Sequence, residues 1–183
     1  MVIVKKKKLS LYQQHLAQWK NCQLCPLHKN RQKVVLAKGK IPSKILFIGE
    51  APGISEDTIG IPFVGPAGKL LDHIIERSLD GQYDYAMTNL VGCLPIIIGA
   101  KNEPSKKSIS TCHTRLMDFI ELCNPKLIIT VGLLATKYTP IIDGISYVGI
   151  THPAAILRAD ISAQSLVIKR CIVTIEDAVE KHL

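Results

Sequence analysis

The sequence of 183 residues has no long apolar run, few glycines and prolines, and no internal repeat. A membrane-spanning helix needs about 18 or more consecutive apolar residues, and polar groups or glycine interrupt every candidate here. Only 12 glycines and 10 prolines occur, which excludes a fibrous or low-complexity protein. Because 47% of the residues are hydrophobic and 21% charged, most of the chain is not expected to be disordered. These features predict one domain over residues 1–183, with residues 1–8 as a basic tail.

Acidic residues are scarce relative to basic ones. The chain has 23 Lys and Arg against 15 Asp and Glu, which gives a formal net charge of +8. A basic domain favours a polyanionic partner, with nucleic acid as the first candidate and an anionic membrane surface as the second. Four lysines form one run, Lys5 to Lys8, which is either a solvated tail or an arm that contacts phosphates.

The beginning of the chain lacks a secretory signal pattern. Only a short apolar stretch precedes the lysines, and no apolar segment with a small-residue cleavage site follows them. The sequence therefore predicts a cytoplasmic protein without a membrane partner. In that compartment the six cysteines are expected to be metal ligands, catalytic groups or core residues rather than three disulfides.

Apolar patterning alternates between strands and helices along the chain. The predicted helices are Leu9 to Lys20, Gly68 to Leu79, Ser105 to Leu122 and Ser162 to His182; the predicted strands are Lys44 to Gly49, Tyr83 to Thr88, 126–132 and Ser146 to Ile150. The strands are apolar on both faces, which predicts an α/β fold with a central, mostly parallel four-stranded sheet flanked by helices on both faces. In such folds ligands bind beyond the carboxyl ends of the strands. The loops 49–66, 89–104 and 151–160 should therefore converge on one site.

Two of the cysteines have the spacing of a metal site, and two more lie apart from them. Cys22 and Cys25 form C-x2-C, which lets both sulfurs reach one metal, whereas Cys93 and Cys112 have no close partner in the sequence. Four thiolates suit either a tetrahedral zinc ion or an iron–sulfur cluster. One close pair with two scattered cysteines favours the cluster, and an arrangement without metal is the alternative.

The other two cysteines lie among apolar residues. Cys123 shares one predicted helix face with Leu116 and Phe119, and Cys171 directly precedes Ile172. Free cysteines in such surroundings act as small hydrophobic side chains, so both are expected in the core.

Polar side chains stand at the ends of the predicted strands. The loop GEAPGISED resembles an anion-binding turn, but it is neither G-x-G-x-x-G nor a Walker A sequence. Its acidic residues Glu50, Glu56 and Asp57 suit a water molecule or a developing cation better than a phosphate. Asn89 carries an amide that can read the edge of a base, and His152 can donate a hydrogen bond to an oxyanion.

Four segments in order along the chain carry a specific resemblance. CQLCPLHKNR, GEAPGISEDTIGIPFVGPAGKLL, TNLVGC and HPAAILR resemble the motifs of the family 4 uracil-DNA glycosylases, the iron–sulfur members of their superfamily. The resemblance extends from about Cys22 to Arg158. It implies a three-layer α/β/α fold and a DNA repair enzyme that flips uracil out of DNA. The enzyme would hydrolyse the N-glycosidic bond and leave an abasic site, as in base excision repair.

The resemblance also implies roles for residues around the reacting base. Glu50 and His152 are the implied catalytic residues: Glu50 orients or activates the attacking water, and His152 donates toward uracil O2. Phe63 stacks on the flipped uracil, and Asn89 binds its Watson–Crick edge and so rejects cytosine. The remaining implied pocket residues are Ala51, Pro52 and Gly53.

Further implied roles concern the metal and the DNA. The implied ligands of a structural [4Fe–4S] cluster are Cys22, Cys25, Cys93 and Cys112, with zinc as the alternative metal. The implied DNA-binding residues, which enter the minor groove or hold the strand after flipping, are Ala154, Ala155, Ile156, Leu157 and Arg158.

Two features depart from the pattern of that family. Cys93 is followed by Leu94-Pro95 where the family usually has Arg-Pro, and the apolar residues Ile96, Ile97 and Ile98 follow. This segment is expected either to be buried or to contact a replication or repair protein.

The second departure is a slightly longer gap before Cys112, which makes Cys123 the alternative fourth ligand. Residue 51 is Ala, where a related branch that traps DNA covalently has Gln, so that branch is disfavoured.

Two other functions stay open. The chain could be a weakly active or inactive homologue that binds DNA or a replication protein, or a glycosylase for another deaminated base such as hypoxanthine or xanthine. The protein is expected to be a monomer.

Overall fold

A computed structural model of the chain describes residues 10–95 and 103–183. The Lys5 to Lys8 run and the Ile96 to Ile98 segment of the sequence analysis lie outside these ranges. The helices are α1 (Leu11–Trp19), α2 (Ile54–Ile59), α3 (Pro66–Leu79), α4 (Lys106–Cys123), α5 (Leu133–Tyr138), α6 (Pro153–Arg158) and α7 (Ile161–His182). The strands are β1 (Ala37–Gly39), β2 (Ile45–Gly49), β3 (Tyr85–Asn89), β4 (Leu127–Val131) and β5 (Ser146–Ile150), and a 3₁₀ helix spans Pro26–Lys29.

The strands form one sheet in the order β1-β3-β2-β4-β5. The pairs β2–β3, β2–β4 and β4–β5 are parallel, and only β1 runs antiparallel, against β3. The connections from β2 to β3 and from β3 to β4 run in opposite directions across the sheet, so the strand order reverses beside β2. Such a reversal opens a crevice at the carboxyl ends of the strands.

The predicted α/β class is confirmed, but the predicted number of strands was wrong. Within the described residues the sheet has five strands rather than four, because the sequence analysis missed β1. This strand is three residues long and contains Lys38 and Gly39, so it has no apolar alternation to detect. It forms because Ala37 to Gly39 pair with the edge of β3, a long-range contact that local sequence does not encode.

The core lies on both faces of the sheet, because the side chains of β2 point alternately to one face and the other. Ile45 and Phe47 pack with apolar residues of α3, α6 and α7 on one face. Leu46 and Ile48 pack with apolar residues of α4 on the other face. Successive side chains of a strand point to opposite faces, so one continuous apolar run serves both layers.

Polar residues set the ends of the long helices. Ser105 caps α4 by accepting a hydrogen bond from Ser108 N at 3.1 Å, and Asn124 ends that helix in the left-handed conformation with φ 50°. Ser10 and Gln13 form a capping box at the start of α1. None of the helices within the described ranges combines the length and the apolar character that a bilayer crossing requires.

Candidate active site

A cavity of about 720 Å³ opens at the carboxyl ends of β2, β3 and β5. Its walls come from the loop after β2, the end of β3 and the segment after β5, so these three loops meet. The predicted site residues that line it are Glu50, Ala51, Pro52, Gly53, Phe63, Asn89, His152, Ala154 and Arg158.

Gly49 allows two of these side chains to lie together at the floor of the cavity. A Cβ atom at this position would lie 2.5 Å from Asn89 Oδ1 and 2.6 Å from Phe63 Cζ. Any larger residue would therefore displace both side chains. Leu90 N donates to Gly49 O at 2.9 Å, which holds the end of β3 against the end of β2. The glycine thus brings a planar ring and an amide to one side of the cavity.

The backbone of Phe63 is held in an uncommon conformation. Its φ is 55°, a left-handed value that a bulky residue adopts only under external restraint. Gly68 packs directly on this backbone, because a Cβ there would lie 2.2 Å from the carbonyl of Phe63. Lys38 Nζ donates to Phe63 O at 3.0 Å and pairs with Asp72 Oδ1 at 3.1 Å. The missed strand β1 therefore supplies part of the support for the ring.

The three acidic residues of the loop have different environments. Glu56 Oε1 accepts from Val64 N at 2.9 Å and from Gly65 N at 2.8 Å, and its Oε2 accepts from Gly53 N at 3.1 Å. The Glu56 carboxylate thus ties the two ends of the loop together. Its place three residues after Gly53 is the spacing of a helix cap, the one sequence signal for this role.

Asp57 joins the cavity loop to the N-terminal segment that carries the cysteines. Its carboxylate accepts from Gln32 N at 2.9 Å and 3.1 Å, and from Lys33 N at 3.4 Å. The sequence grouped this residue with Glu50 and Glu56 as groups for a water or a cation. In the structure, the carboxylates of Glu56 and Asp57 instead accept hydrogen bonds from backbone amides.

Glu50 is half-buried at the cavity, beside a second carboxylate. Burial raises the pKa of Glu50, and the negative charge of Glu103 raises it further. Glu103 lines the same cavity, and the sequence reasoning missed it. The sequence signal that could have identified it is an acidic residue directly before Pro104, in the loop that follows β3.

His152 caps α6 and has a defined proton position. Its Nδ1 accepts a hydrogen bond from Ala154 N at 3.1 Å, so the neutral ring carries its proton on Nε2. Burial lowers the pKa of His152, and the positive charge of Arg158 lowers it further. The ring therefore stays neutral at neutral pH and can donate from Nε2.

The short helix α6 distributes its residues between the surface, the cavity and the core. Ala154 and Arg158 line the cavity, and Ala155, Leu157 and Arg158 are exposed. Ile156 is 1% exposed and packs in the core with α3 and α7, so its side chain faces away from solvent.

Leu94 is also buried and lines the cavity, so its side chain is not on an outer surface. Within the described residues, Leu94 therefore offers no exposed apolar side chain for the predicted contact with a partner protein.

The four cysteines that the resemblance implies as metal ligands line one pocket. Cys22, Cys25, Cys93 and Cys112 all belong to it, and none forms a disulfide. Arg31 Nη1 donates to Cys93 Sγ at 3.6 Å. Burial raises the pKa of Cys93 to about 11, with Arg31 acting in the opposite direction. Within residues 10–95 and 103–183, no three His, Cys, Asp or Glu side chains are arranged to hold one metal ion.

The remaining cysteines lie elsewhere in the core. Cys123 is fully buried, and its Sγ donates to Ser43 O at 3.5 Å. It does not line the four-cysteine pocket in the described part of the chain. Cys171 lies in α7, is 3% exposed and belongs to the other core layer.

Comparison with known proteins relates this arrangement to a family. The family model of the Uracil DNA glycosylase superfamily matches residues 36–172. A type-4 uracil-DNA glycosylase of Pyrobaculum aerophilum is 38% identical over 118 residues, which are 64% of this chain and 59% of that protein. The relative of the same name in Thermotoga maritima is 37% identical over 125 residues, 68% of this chain and 62% of that protein.

A third relative, from Saccharolobus solfataricus, has the same name and is 42% identical over 120 residues, 65% of this chain and 54% of that protein. The chain thus matches less than two thirds of the length of these three relatives. The family model, by contrast, matches most of the chain, and its range of residues 36–172 includes the strands β1 to β5. This chain belongs to the uracil DNA glycosylase superfamily.

Proposed function

We propose that this protein is a DNA repair glycosylase that hydrolyses the N-glycosidic bond of uracil in DNA and leaves an abasic site. The observation that carries the proposal is the single cavity at which Glu50, Phe63, Asn89 and His152 meet. Membership of the superfamily and the names of the similar relatives support it.

Recognition of the base requires extrusion from the helix, because a stacked nucleotide hides its glycosidic bond. In the proposed complex the ring of Phe63 stacks on the extruded base, which contributes affinity for any base. Asn89 contributes selectivity: its Oδ1 accepts from uracil N3–H, and its Nδ2 donates to uracil O4. Cytosine presents the opposite pattern at these two atoms. The close packing over Gly49 supports this pairing of the two side chains.

Cleavage breaks the bond between sugar C1′ and base N1, and its electron pair leaves with the uracil. His152 donates from Nε2 to uracil O2 and stabilises the resulting anion. Glu50 stabilises the positive charge on the sugar and accepts a proton from the water that attacks C1′. The cavity lining contains no lysine among the described residues, so we propose hydrolysis without strand cleavage.

DNA contacts are proposed for the exposed side of α6. Arg158 stands at the cavity mouth and can contact a phosphate, while Ala155 and Leu157 are exposed beside it. The net charge of +8 supports binding to a polyanion.

We propose that Cys22, Cys25, Cys93 and Cys112 hold a [4Fe–4S] cluster, with zinc as the alternative. The residue types suit either group, because four free thiols line one pocket and Arg31 donates toward one of them. Through a bound cluster, these cysteines would cross-link the N-terminal segment, the loop after β3 and α4. Asp57 then joins that N-terminal segment to the cavity loop.

Cys22→Ser is expected to remove most of the bound iron and to lower the melting temperature. Serine replaces a thiolate ligand, and the remaining thiolates lose a shared counter-charge. Iron and sulfide analysis, visible absorption and thermal denaturation measure the effect. Cys171→Ala is the control, since it removes a buried thiol outside the pocket and should keep the iron. A Cys22→Ser protein with unchanged iron content and melting temperature would show that the ligand assignment is wrong.

The pH dependence of excision should report the ionisation of Glu50. The raised pKa of this group means that kcat/KM is full above that pKa and falls as the pH drops through it. Glu103→Gln removes the neighbouring negative charge, so the acid limb of the profile should move to lower pH. Glu180→Gln, on the exposed side of α7, should leave the limb in place. If the acid limb of the Glu103→Gln profile stays at the wild-type pH, the ionisation of Glu50 does not cause that limb.

The proposed function is tested with protein purified without oxygen and an oligonucleotide that contains one uracil. Alkali reveals abasic sites as strand breaks, and an otherwise identical thymine strand is the control. We expect cleavage of the uracil strand only. Absence of cleavage by folded, metal-containing protein would contradict the proposal and favour a binding module or a glycosylase for another base.

A further inference from the structure

Arg115 is a buried cation without an acidic partner. It lies in α4, three residues after Cys112, and is 1% exposed. The ion pairs in the described ranges are Lys38–Asp72 and Lys40–Asp84, so no carboxylate neutralises this guanidinium there. Burying an unpaired charge is costly, which indicates that Arg115 has a function that offsets the cost.

One end of this side chain holds the last residues of β3. Arg115 Nη1 donates to Thr88 Oγ1 at 2.9 Å. Its Nη2 donates to Asn89 O and, at 3.1 Å, to Leu90 O. The planar fork of a guanidinium suits such a set of acceptors. These bonds fix the backbone from which the Asn89 side chain enters the cavity.

The same side chain lines the four-cysteine pocket. Arg115 belongs to its wall together with Cys22, Cys25, Cys93 and Cys112. Its Nε is buried and has no hydrogen-bond partner among residues 10–95 and 103–183. A buried N–H without a partner leaves the positive charge of the guanidinium incompletely compensated. Four thiolates that hold a metal centre would supply the missing negative charge.

We propose that Arg115 is a positioning residue that couples the four-cysteine centre to Asn89. The thiolates compensate its charge, and its fork orients the end of β3 for base reading. The selectivity part of this inference rests on the proposed function, whereas the coupling itself concerns the fold. Loss of the metal and loss of the fork should therefore loosen the same backbone segment.

Hydrogen exchange of the segment 86–91 tests the coupling without any activity measurement. Arg115→Lys keeps a positive charge but cannot hold three acceptors in one plane. We expect the variant to retain its iron, while amides of 86–91 exchange roughly tenfold or more faster than in the wild type. Arg31→Lys is the matched control: it changes another arginine of the pocket that makes no hydrogen bond to β3. Its 86–91 segment should exchange as in the wild type while the iron is retained.

Removal of the metal from the wild type is the second measurement, and it does not depend on the folding of a variant. Treatment with a chelator under reducing conditions should accelerate exchange in 86–91 as well as in the cysteine-bearing segment 22–31. If 86–91 stays protected after metal loss, or if Arg31→Lys opens it as much as Arg115→Lys does, the coupling is wrong.

A kinetic readout connects the coupling to base selection. Arg115→Lys should lower the ratio of kcat/KM for uracil over cytosine by about tenfold, because a displaced backbone misplaces the Asn89 amide. An unchanged ratio together with accelerated exchange would overturn the positioning role. If the wild type excises no uracil but 86–91 responds to both changes, the proposed function fails and the coupling stands. If uracil is excised and 86–91 responds to neither change, the coupling alone fails.

Discussion

Glu50→Gln is expected to lower kcat for uracil excision by about 10²–10⁴-fold with little change in KM. Glutamine keeps the size of the side chain but can neither accept a proton from water nor carry the negative charge that stabilises the sugar cation. Single-turnover cleavage of a uracil oligonucleotide measures the rate of this step. The raised pKa of Glu50 reflects a half-buried carboxylate, in which a charge acts more strongly than in bulk water.

Glu76→Gln is the matched control for this prediction, because Glu76 is exposed on α3 and does not line the cavity. It should cleave at the wild-type rate. A Glu50→Gln variant that keeps more than about a tenth of the wild-type kcat would remove Glu50 from the proposed chemistry. A higher KM at unchanged kcat would instead assign Glu50 to binding.

Asn89→Asp is expected to reduce the preference for uracil over cytosine by about 10–100-fold. The substitution replaces the donor Nδ2 by an acceptor oxygen, so the pairing with uracil O4 is lost. An acceptor at this place can instead take a hydrogen bond from the amino group of cytosine. The ratio of kcat/KM on uracil and cytosine oligonucleotides measures the change.

Asn124→Asp serves as the control for Asn89→Asp. Asn124 is exposed at the end of α4, and its left-handed conformation tolerates Asp as well as Asn. Its uracil-to-cytosine ratio should equal that of the wild type. An unchanged ratio in Asn89→Asp would show that another group reads the base edge.

The sheet was predictable wherever apolar residues repeat locally. Strand β5 has the predicted bounds Ser146–Ile150, and α4 starts one residue after the predicted Ser105 because that serine is its cap. The short elements were not predictable in this way. Strand β1 depends on pairing with β3, and α2 has only six residues, too few for a clear helical period.

Most residues that line the candidate site were predictable from the sequence, but the different environments of its acidic residues were not. Glu50, Glu56 and Asp57 look equivalent along the chain, since all three are acidic residues of one loop. In the structure, Glu56 accepts hydrogen bonds from the backbone amides of Gly53, Val64 and Gly65. Asp57 accepts them from the backbone amides of Gln32 and Lys33. Which carboxylates are held by backbone amides therefore depends on where remote backbone groups lie.

The sequence by itself determined the α/β class, the resemblance to a family and the residue types at the strand ends. These properties follow from local periodicity and from motifs that are contiguous in the chain. The tertiary structure alone decided the proton position on His152, the charge of Glu103 beside Glu50 and the burial of Arg115 behind Asn89. Each depends on atoms that are distant in sequence and close in space, because pKa values and hydrogen bonds respond to distance and burial rather than to order along the chain.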